Sequence, residues 1–410
     1  MHIVYNIAIR LYTMVIFLVS PFNRKACLWY RGRKGFFRRW SGFDPGKRRV
    51  VWFHCASLGE FEQGRPVIDE VRRRDDNIFI LLTFFSPSGF EVRKNSALAD
   101  AVCYLPADTP ANARRFIEIF RPDMAVFIKY EFWYNYIDIL NRKGIPLYLI
   151  SANFRADQVF FRWYGRWFGK ILHMFSHIFV QGEDSAALLK SAGIKNVTVS
   201  GDTRFDRVYF IARSATRIEA AAAFSKGAFT IVAGSTWPPD HALWVRFMNE
   251  TVHNIKLIIA PHEINEYEID RLAGRLEPGV IRFSGINSAD PGAAQVMVID
   301  NMGMLSSLYS YGNLAYIGGG FGKNIHNILE ACTHGLPVIF GPRYRNFREA
   351  RDLVRLGGAF PVADYDSFCS KVDELIVNRE LLIKAGHIAG RYVKSGIGAS
   401  KVIVNKIFIS

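Results

Sequence analysis

The sequence predicts an α/β protein of two doubly wound, Rossmann-like domains facing a central cleft, preceded by an amino-terminal membrane-associated helix. Three observations carry that expectation. From Val50 onward, short apolar runs alternate with amphipathic stretches, as buried parallel strands joined by helices do. The series pauses after Asp206 and then restarts. Ten of the fifteen net positive charges lie within the first fifty residues, beside an apolar stretch. At ~150 residues per domain, 410 residues make two or three domains. Half the residues are hydrophobic and 14% aromatic, which excludes disorder as the main state. The five cysteines stand far apart without a CxxC pair, so a disulfide scaffold or zinc ribbon is excluded and a reducing compartment fits.

Residues 3–20, IVYNIAIRLYTMVIFLVS, are mostly apolar but carry Asn6 and Arg10. A spanning helix needs ~20 apolar residues, and a central Arg costs about 2.5–3.5 kcal/mol on insertion. A cleaved signal peptide would place charge before its apolar core and end in small residues, and neither is present. Next comes a mixture of Phe22, Trp29, Tyr30, Phe36, Phe37 and Trp40 with Arg24, Lys25, Arg31, Arg33, Lys34, Arg38 and Arg39. Rings and cations together suit the headgroup layer of an anionic leaflet. The competing reading is a buried first helix followed by a solvated basic loop. The flanking positive charge favours an anchor with the body on the cytoplasmic side. The other 360 residues are only mildly basic, which argues against a nucleic-acid partner.

The segmentation places a membrane-associating segment at 1–49, an acceptor-binding domain at 50–206, a linker at 207–227 and a donor-binding domain at 228–410. The last helix is able to pack back on the first domain. In the first half the strands are VVWFH (50–54), IFILLTFF (78–85), AVCYL (101–105), MAVFI (124–128), PLYLI (146–150) and HIFV (177–180), with helices over 60–74 and 110–120. The second half offers FTIVAG (229–234), IKLIIA (255–260), VMVID (296–300), NLAYIGG (313–319) and PVIFG (337–341). Ligands of such folds gather at the carboxyl ends of the strands, although the fold alone selects no chemistry.

Candidate chemistry follows those strand ends. In HCASLGEFEQG (54–64), Gly59 permits a tight turn and Glu60 sits near a helix amino terminus, either as a reactive acid or as a partner of the helix dipole. In KYEFWYN (129–135), Glu131 lies among aromatic residues, where desolvation raises a carboxyl pKa; a salt bridge to Lys129 or simple exposure are the alternatives. GDTRFD (201–206) offers Arg204 between two acids. AGSTWPPD (233–240) places Ser235 and Thr236 ahead of a proline-started helix, as a phosphate cradle or a plain cap. His262 follows a strand end in APHE (260–263). The segment YIGGGFGKNIHNILEACTHG (316–335) joins Gly318, Gly319, Gly320 and Gly322 to Lys323, Asn327 and Glu330. Its loop suits a phosphate and its acid suits ribose hydroxyls, yet it is neither a Walker A loop nor a dinucleotide fingerprint.

In their order these motifs resemble the Kdo transferase family, which moves 3-deoxy-D-manno-octulosonic acid (Kdo) from CMP-Kdo to the lipid A precursor. SLGE (57–60), LLTFFSPSG (81–89), YLPAD (104–108), RPDMAVFIKYEFWYN (121–135), GDTRFD, AGSTW, APHE, the run ending at Glu330 and LPVIFGPRYRNF carry the resemblance over roughly residues 50–350. It implies a glycosyltransferase-B fold and inverting, metal-independent chemistry without a cofactor. It also implies residence at the cytoplasmic face of the inner membrane. By position, Glu60 is the implied general base and Glu131 the acid of a second motif. Arg204, Ser235, Thr236, His262, Gly318, Gly319, Gly320, Lys323 and Asn327 are implied to hold the CMP group, with Glu330 on the ribose. The chain departs from the family at Tyr134 and Ile328 (usually Pro), Asp202 (Asn), Arg204 (Lys) and Lys129-Tyr130, which bears on substrate recognition more than on reaction type. Two other classes stay open: a transferase using a UDP-sugar with a lipid or cell-wall acceptor, and a membrane protein that binds an anionic glycolipid without turnover.

Overall fold

The computed structural model describes residues 2–288 and 291–408, and the chain divides into two compact units, Met1–Arg207 with Gly398–Ser410, and Val208–Ile397. The first unit is built on seven parallel strands: β1 (Arg49–Cys55), β2 (Ile78–Phe84), β3 (Ala101–Tyr104), β4 (Met124–Ile128), β5 (Leu147–Ala152), β6 (His177–Val180) and β7 (Val197–Val199). Their order is β3-β2-β1-β4-β5-β6-β7, so the winding reverses between β1 and β4. Helices α1 (His2–Val19), α2 (Arg24–Arg33) and α3 (Phe36–Arg39) precede the sheet. α4 (Leu58–Arg74), α5 (Pro87–Arg93), α6 (Pro110–Phe120) and α7 (Tyr134–Arg142) follow β1, β2, β3 and β4 in turn. The apolar runs are continuous because both sheet faces are covered. Trp52, Ala125 and Phe127 enter one core, while Val51, Phe53 and Cys55 enter the other.

Helix Ala399–Phe408 belongs to this first unit, and its Ile403, Val404 and Ile407 join the core that holds Val67, Ile68 and Val71 of α4. Asp206 caps the approach to it, accepting from Gly398 N and Ser400 N at 2.6 and 2.8 Å.

The second unit has strands β8 (Phe229–Thr236), β9 (Ile255–Pro261), β10 (Val280–Arg282), β11 (Val296–Val298), β12 (Leu314–Ile317), β13 (Val338–Phe340) and β14 (Ala359–Pro361). The order β10-β11-β9-β8-β12-β13-β14 reverses between β8 and β12. Every apolar run named above forms a strand. β7, β10 and β14 are absent from the named runs because each is a three-residue edge strand with too few residues to show a pattern. Residues 207–227 hold the end of helix Thr203–Arg213 and helix Glu219–Ser225.

No residue of α1 is buried, so this helix is not a core element. Among the described residues it is the helix long and apolar enough to cross a membrane. One of the seven cations assigned to headgroups is corrected. Arg33 points into the protein, donating to Leu105 O (2.8 Å), Trp29 O (3.0 Å) and Phe85 O (2.6 Å), with its guanidinium 3.8 Å from the Trp29 ring centre. Burial pulls its pKa down to about 9, still far above neutrality, so it stays cationic. Gly32 beside it is required by space: a Cβ there would stand 2.2 Å from the Tyr104 ring.

Asp108, 1% exposed, ties these layers together. Its Oδ2 accepts from the Tyr5 hydroxyl of α1 (2.6 Å) and Asn135 N (3.1 Å), and its Oδ1 from Tyr136 N (3.2 Å). α7 has no side-chain cap of its own at Trp133, so Asp108 serves as that cap from a distant segment. Burial raises the carboxyl to about 6 while these hydrogen bonds pull it down. A folded-state pKa above the unfolded value of ~3.9 gives stability that is fully present below about pH 4 and lost as pH rises through about 6. Two pH units bound the effect at about 3 kcal/mol. The stability change from pH 4 to pH 7, read from denaturant midpoints, is therefore more positive in Asp108→Asn than in the parent. Identical changes in both proteins would show that Asp108 does not titrate in this range.

Candidate active site

Each sheet carries candidate residues at the carboxyl ends of the strands flanking its reversal. In the first unit Glu60 follows β1 and Glu131 follows β4, and the two strands are neighbours. Ser57 caps α4, accepting from Gly59 N at 3.2 Å, which sets Glu60 in the first turn. The Ser57 hydroxyl donates to Glu60 Oε2, and Lys129 Nζ lies 3.9 Å from Oε1. Lys129 is itself strained, at φ +72°, directly after β4.

Glu131 is 7% exposed. Its Oε2 lies 3.0 Å from His54 Nε2 and accepts from Trp133 Nε1 at 2.6 Å. His54 Nδ1 is 2.8 Å from the Thr83 hydroxyl, which also accepts from Trp52 Nε1 at 2.7 Å. Placing the imidazole proton on Nε2 lets the ring donate to Glu131 while Nδ1 accepts from Thr83. Strand register builds this chain of contacts, because His54 pairs with Thr83 on β2 and with Phe127 on β4. The sequence did not single out His54 or Trp133. The available signal was period two: Trp52 and His54 share a face of β1.

Arg204 lies in the first unit, on helix Thr203–Arg213, where Asp202 engages it: Nε and Nη2 reach Asp202 Oδ2 at 2.8 and 2.6 Å. Any anion it binds shares the guanidinium with that carboxylate.

In the second unit Ser235 stands near the end of β8 at φ +53°, where the β8–β9 register shifts. Thr236 is turned inward, its hydroxyl 3.0 Å from His241 Nε2, so what it can offer a ligand is backbone rather than its side chain. A short helix, Leu329–Thr333, follows the strand and glycine loop, with Gly335 beyond it at φ +72°. The glycines serve close packing. A Cβ on Gly318 would come 2.3 Å from Ser235 O, and one on Gly320 would come 2.6 Å from Gly341 N. Gly318 N donates to Gly234 O at 2.9 Å and Gly319 N to Asp240 Oδ2 at 3.0 Å, so neither N–H is offered to a phosphate. Asp240 also accepts from Tyr316 and from Trp237 N, and burial raises its pKa.

His262 does join the glycine segment. Its ring stacks on His326 at 4.1 Å and on Trp237 at 4.8 Å between ring centres, and Trp237 Nε1 donates to His326 Nε2 at 2.9 Å. Burial, then the neighbouring His262, lowers His326 to about 4, so it is neutral near pH 7. Glu330 accepts from Ser306 Oγ and from Asn327 Nδ2 (3.1 Å), while Asn327 Oδ1 accepts from Leu329 N at 3.1 Å. Lys323, three residues before His326, is exposed. The second unit thus gathers a flat ring stack, a carboxylate and a cation around one strand reversal. Trp237, His326, Asp240 and Ser306 were not read as site residues from the sequence.

The His54–Glu131 contact is testable as a coupling. His54→Phe and Glu131→Gln, alone and together, should show a non-additive stability term of about 1–2 kcal/mol in denaturant unfolding. Additive losses would show that the contact contributes nothing.

A family model described as 3-deoxy-D-manno-octulosonic-acid transferase (kdotransferase) matches residues 30–207. The 3-deoxy-D-manno-octulosonic acid transferase of Aquifex aeolicus is 30% identical over 356 residues, covering 84% of this chain and 92% of the relative. The transferase of the same name from Bordetella pertussis is 26% identical over 393 residues, 88% of each protein. In fold, the chain is similar to a UDP-GlcNAc 2-epimerase from Neisseria meningitidis solved with UDP-GlcNAc, with a TM-score of 0.63 at 18% identity over 88% of this chain and 100% of that one. The architecture is the glycosyltransferase-B type, two α/β units each on a seven-stranded parallel sheet. On the extent and identity of the match to its Aquifex relative, the chain belongs to the 3-deoxy-D-manno-octulosonic acid transferase family of glycosyltransferases.

Proposed function

We propose that the chain transfers Kdo from CMP-Kdo to the lipid A precursor by direct displacement with inversion. Family membership supports Kdo transfer, and the observation that carries the mechanism is the placement of Glu60. It sits in the first turn of the helix after β1, beside Ser57 and Lys129, with its side chain 20% exposed. In this reading a hydroxyl oxygen of the acceptor bonds to the anomeric carbon of Kdo as the bond from that carbon to the CMP phosphate breaks. The hydroxyl proton passes to the Glu60 carboxylate, and CMP departs as the anion. A sugar hydroxyl ionises far above neutrality, so the proton moves as the bond forms, a form of catalysis that supplies ~10²–10⁴-fold. The reaction asks for no metal or other cofactor, because the nucleotide phosphate is already a good leaving group.

The second unit's residues fit the donor. The Trp237, His262 and His326 rings offer a flat surface for a base, Glu330 a hydroxyl acceptor, and Lys323 a charge for the phosphate. The backbone at Ser235 and Thr236 adds further polar groups in the same reading. Glu131, held by His54 and Trp133, serves to fix the loop beside Glu60. The apolar α1 and the exposed cations after it support action at the cytoplasmic face of an inner membrane, where an acylated, phosphorylated acceptor resides.

Glu60→Gln should leave the fold and CMP affinity nearly unchanged and lower turnover by ~10²-fold or more, assayed with CMP-Kdo made in situ and products resolved by mass. Turnover within a few-fold of the parent would overturn Glu60 as base. Glu330→Ala should weaken CMP binding in calorimetry by ~1–3 kcal/mol. Tighter binding of UDP than CMP by the parent would favour a UDP-sugar donor instead.

A further inference from the structure

Helix α1 is amphipathic in the reverse sense from a helix of a water-soluble surface. The face toward the first unit is polar and ring-bearing. His2 Nε2 is 2.6 Å from the Tyr134 hydroxyl, Tyr5 donates to Asp108, and Asn135 Nδ2 donates to Asn6 Oδ1 at 2.9 Å. Further along, Tyr12 meets the edge of Trp29 at 6.0 Å and Phe17 meets Tyr30 at 5.1 Å. These contacts run from residue 2 to residue 17, nearly the whole helix, ~27 Å at 1.5 Å per residue. The partly covered Tyr5, Asn6, Ile9, Thr13, Ile16 and Ser20 recur at helical spacing on this side.

The opposite face is aliphatic. Ile3, Ile7, Leu11, Met14 and Leu18, separated by three or four residues, are each at least half exposed, with Val4 and Val15 beside them. No acid occurs before Asp44, while Arg10, Arg24, Lys25, Arg31, Lys34 and Arg38 are exposed around the stripe. Bare aromatic rings mark both ends. Phe22 is 91% exposed just past the helix, and Trp163, 84% exposed, lies four residues before Trp167, whose ring packs on His2 and Tyr5.

We propose that α1 does not cross the bilayer but lies flat in the boundary between headgroups and acyl chains of an anionic phospholipid leaflet. Its outer stripe enters lipid and its inner face stays bound to the protein. This rests on the membrane reading made under Proposed function and adds to it the orientation of the helix and its lipid-contacting residues. The physical reason is the bonded face. A spanning helix would carry the Tyr5–Asp108 and Asn6–Asn135 contacts into hydrocarbon, or break them and leave Asp108 buried with one donor fewer. Lying flat keeps every one of them. Cations beside the stripe then meet lipid phosphates, while the Phe22 and Trp163 rings sit at headgroup depth.

The test is a depth profile. Ile3→Cys, Ile7→Cys, Leu11→Cys, Met14→Cys and Leu18→Cys each carry a nitroxide, in full-length protein with the partly exposed Cys27 and Cys369 changed to Ser. Depth is read by power saturation on vesicles of phosphatidylethanolamine and phosphatidylglycerol. All five labels should lie at one shallow depth, ~5–10 Å below the phosphates. A profile deepest at positions 7–11 and shallow at both ends would overturn the flat orientation in favour of a spanning helix. Failure of the unlabelled protein to bind vesicles at all would overturn the underlying membrane reading, and the proposal with it. As a check free of labels, Ile7→Asp with Leu11→Asp should lower vesicle partitioning ~100-fold at unchanged circular dichroism, about tenfold or more for each buried aliphatic side chain lost. Partitioning equal to the parent would show that the stripe does not enter lipid.

Discussion

The Asp108 carboxylate accepts from three donors on two elements that are far apart in the chain: the Tyr5 hydroxyl on α1 and the amides of Asn135 and Tyr136 in the first turn of α7. Its own carbonyl accepts from Asn135 Nδ2 at 2.6 Å, which closes the junction from the other side. α7 begins three residues after Glu131, so whatever fixes the start of α7 fixes that loop. The other end of the loop is held by Lys129 N, which donates to Ile150 O at 2.9 Å across the sheet. Glu131 is therefore a side chain on a short tether clamped at both ends. The Asp108 carboxylate also couples the amino-terminal helix α1 to the loop that carries Glu131. Asp240 plays the matching part in the second unit, where one buried carboxylate holds the start of helix Pro238–Glu250 and the turn at Gly319. In each unit a desolvated acid organises the loops of a strand reversal, and satisfied donors hold it there.

Backbone strain follows the same geography. Among the described residues, four other than glycine have positive φ: Arg121, Lys129, Ser151 and Ser235. Arg121 ends α6 in the left-handed conformation common at helix carboxyl termini. The other three lie at or beside the carboxyl ends of β4, β5 and β8, where no helix cap explains them. Each strained position costs on the order of 1–3 kcal/mol and persists only where neighbours over-determine it. Ser151 meets such a constraint: its hydroxyl is 2.9 Å from the Thr203 hydroxyl, which donates to Gln63 O at 2.6 Å. Ser235 meets another, with Gly318 packed against its carbonyl. The strain is concentrated where the candidate residues are and is absent from the rest of the sheets among the described residues.

Much of this was legible in the sequence, and the unread part has a common cause. Central strands announce themselves because both faces are buried and the apolar run is unbroken, whereas β10 and β14 are edge strands of three residues. Glu60, Glu131 and Glu330 stood out because each follows a strand-end motif. Their partners did not, since His54 reaches Glu131 across 77 residues and Ser306 reaches Glu330 across 24. Strand register sets His54 beside Thr83 and Phe127, and the packing of two short helices brings Ser306 to Glu330, neither of which a local sequence pattern shows. The glycine run misled for a related reason: a flexible loop and a tightly packed turn have the same composition. Arg33 resembles Arg31 and Arg38 in sequence, yet Gly32 opens the space in which its guanidinium meets Trp29, Phe85 and Tyr104.

The two carboxylates of the first unit differ in the one property that separates a base from a brace. A general base must meet its substrate and must have lone pairs left to accept a proton. Glu131 is buried, and its Oε2 takes the hydrogen bonds from His54 and Trp133 that hold the loop, so a substrate hydroxyl has little access to it. Glu60 is bound more loosely: Ser57 contacts one oxygen, and Lys129 stands at 3.9 Å from the other, beyond hydrogen-bonding distance. Its position in the first turn of α4 also keeps it at the surface, where a hydroxyl can reach it. In the proposed mechanism, rigidity in one acid and availability in the other are complementary, because a base held beside an immobile loop meets its substrate in one geometry.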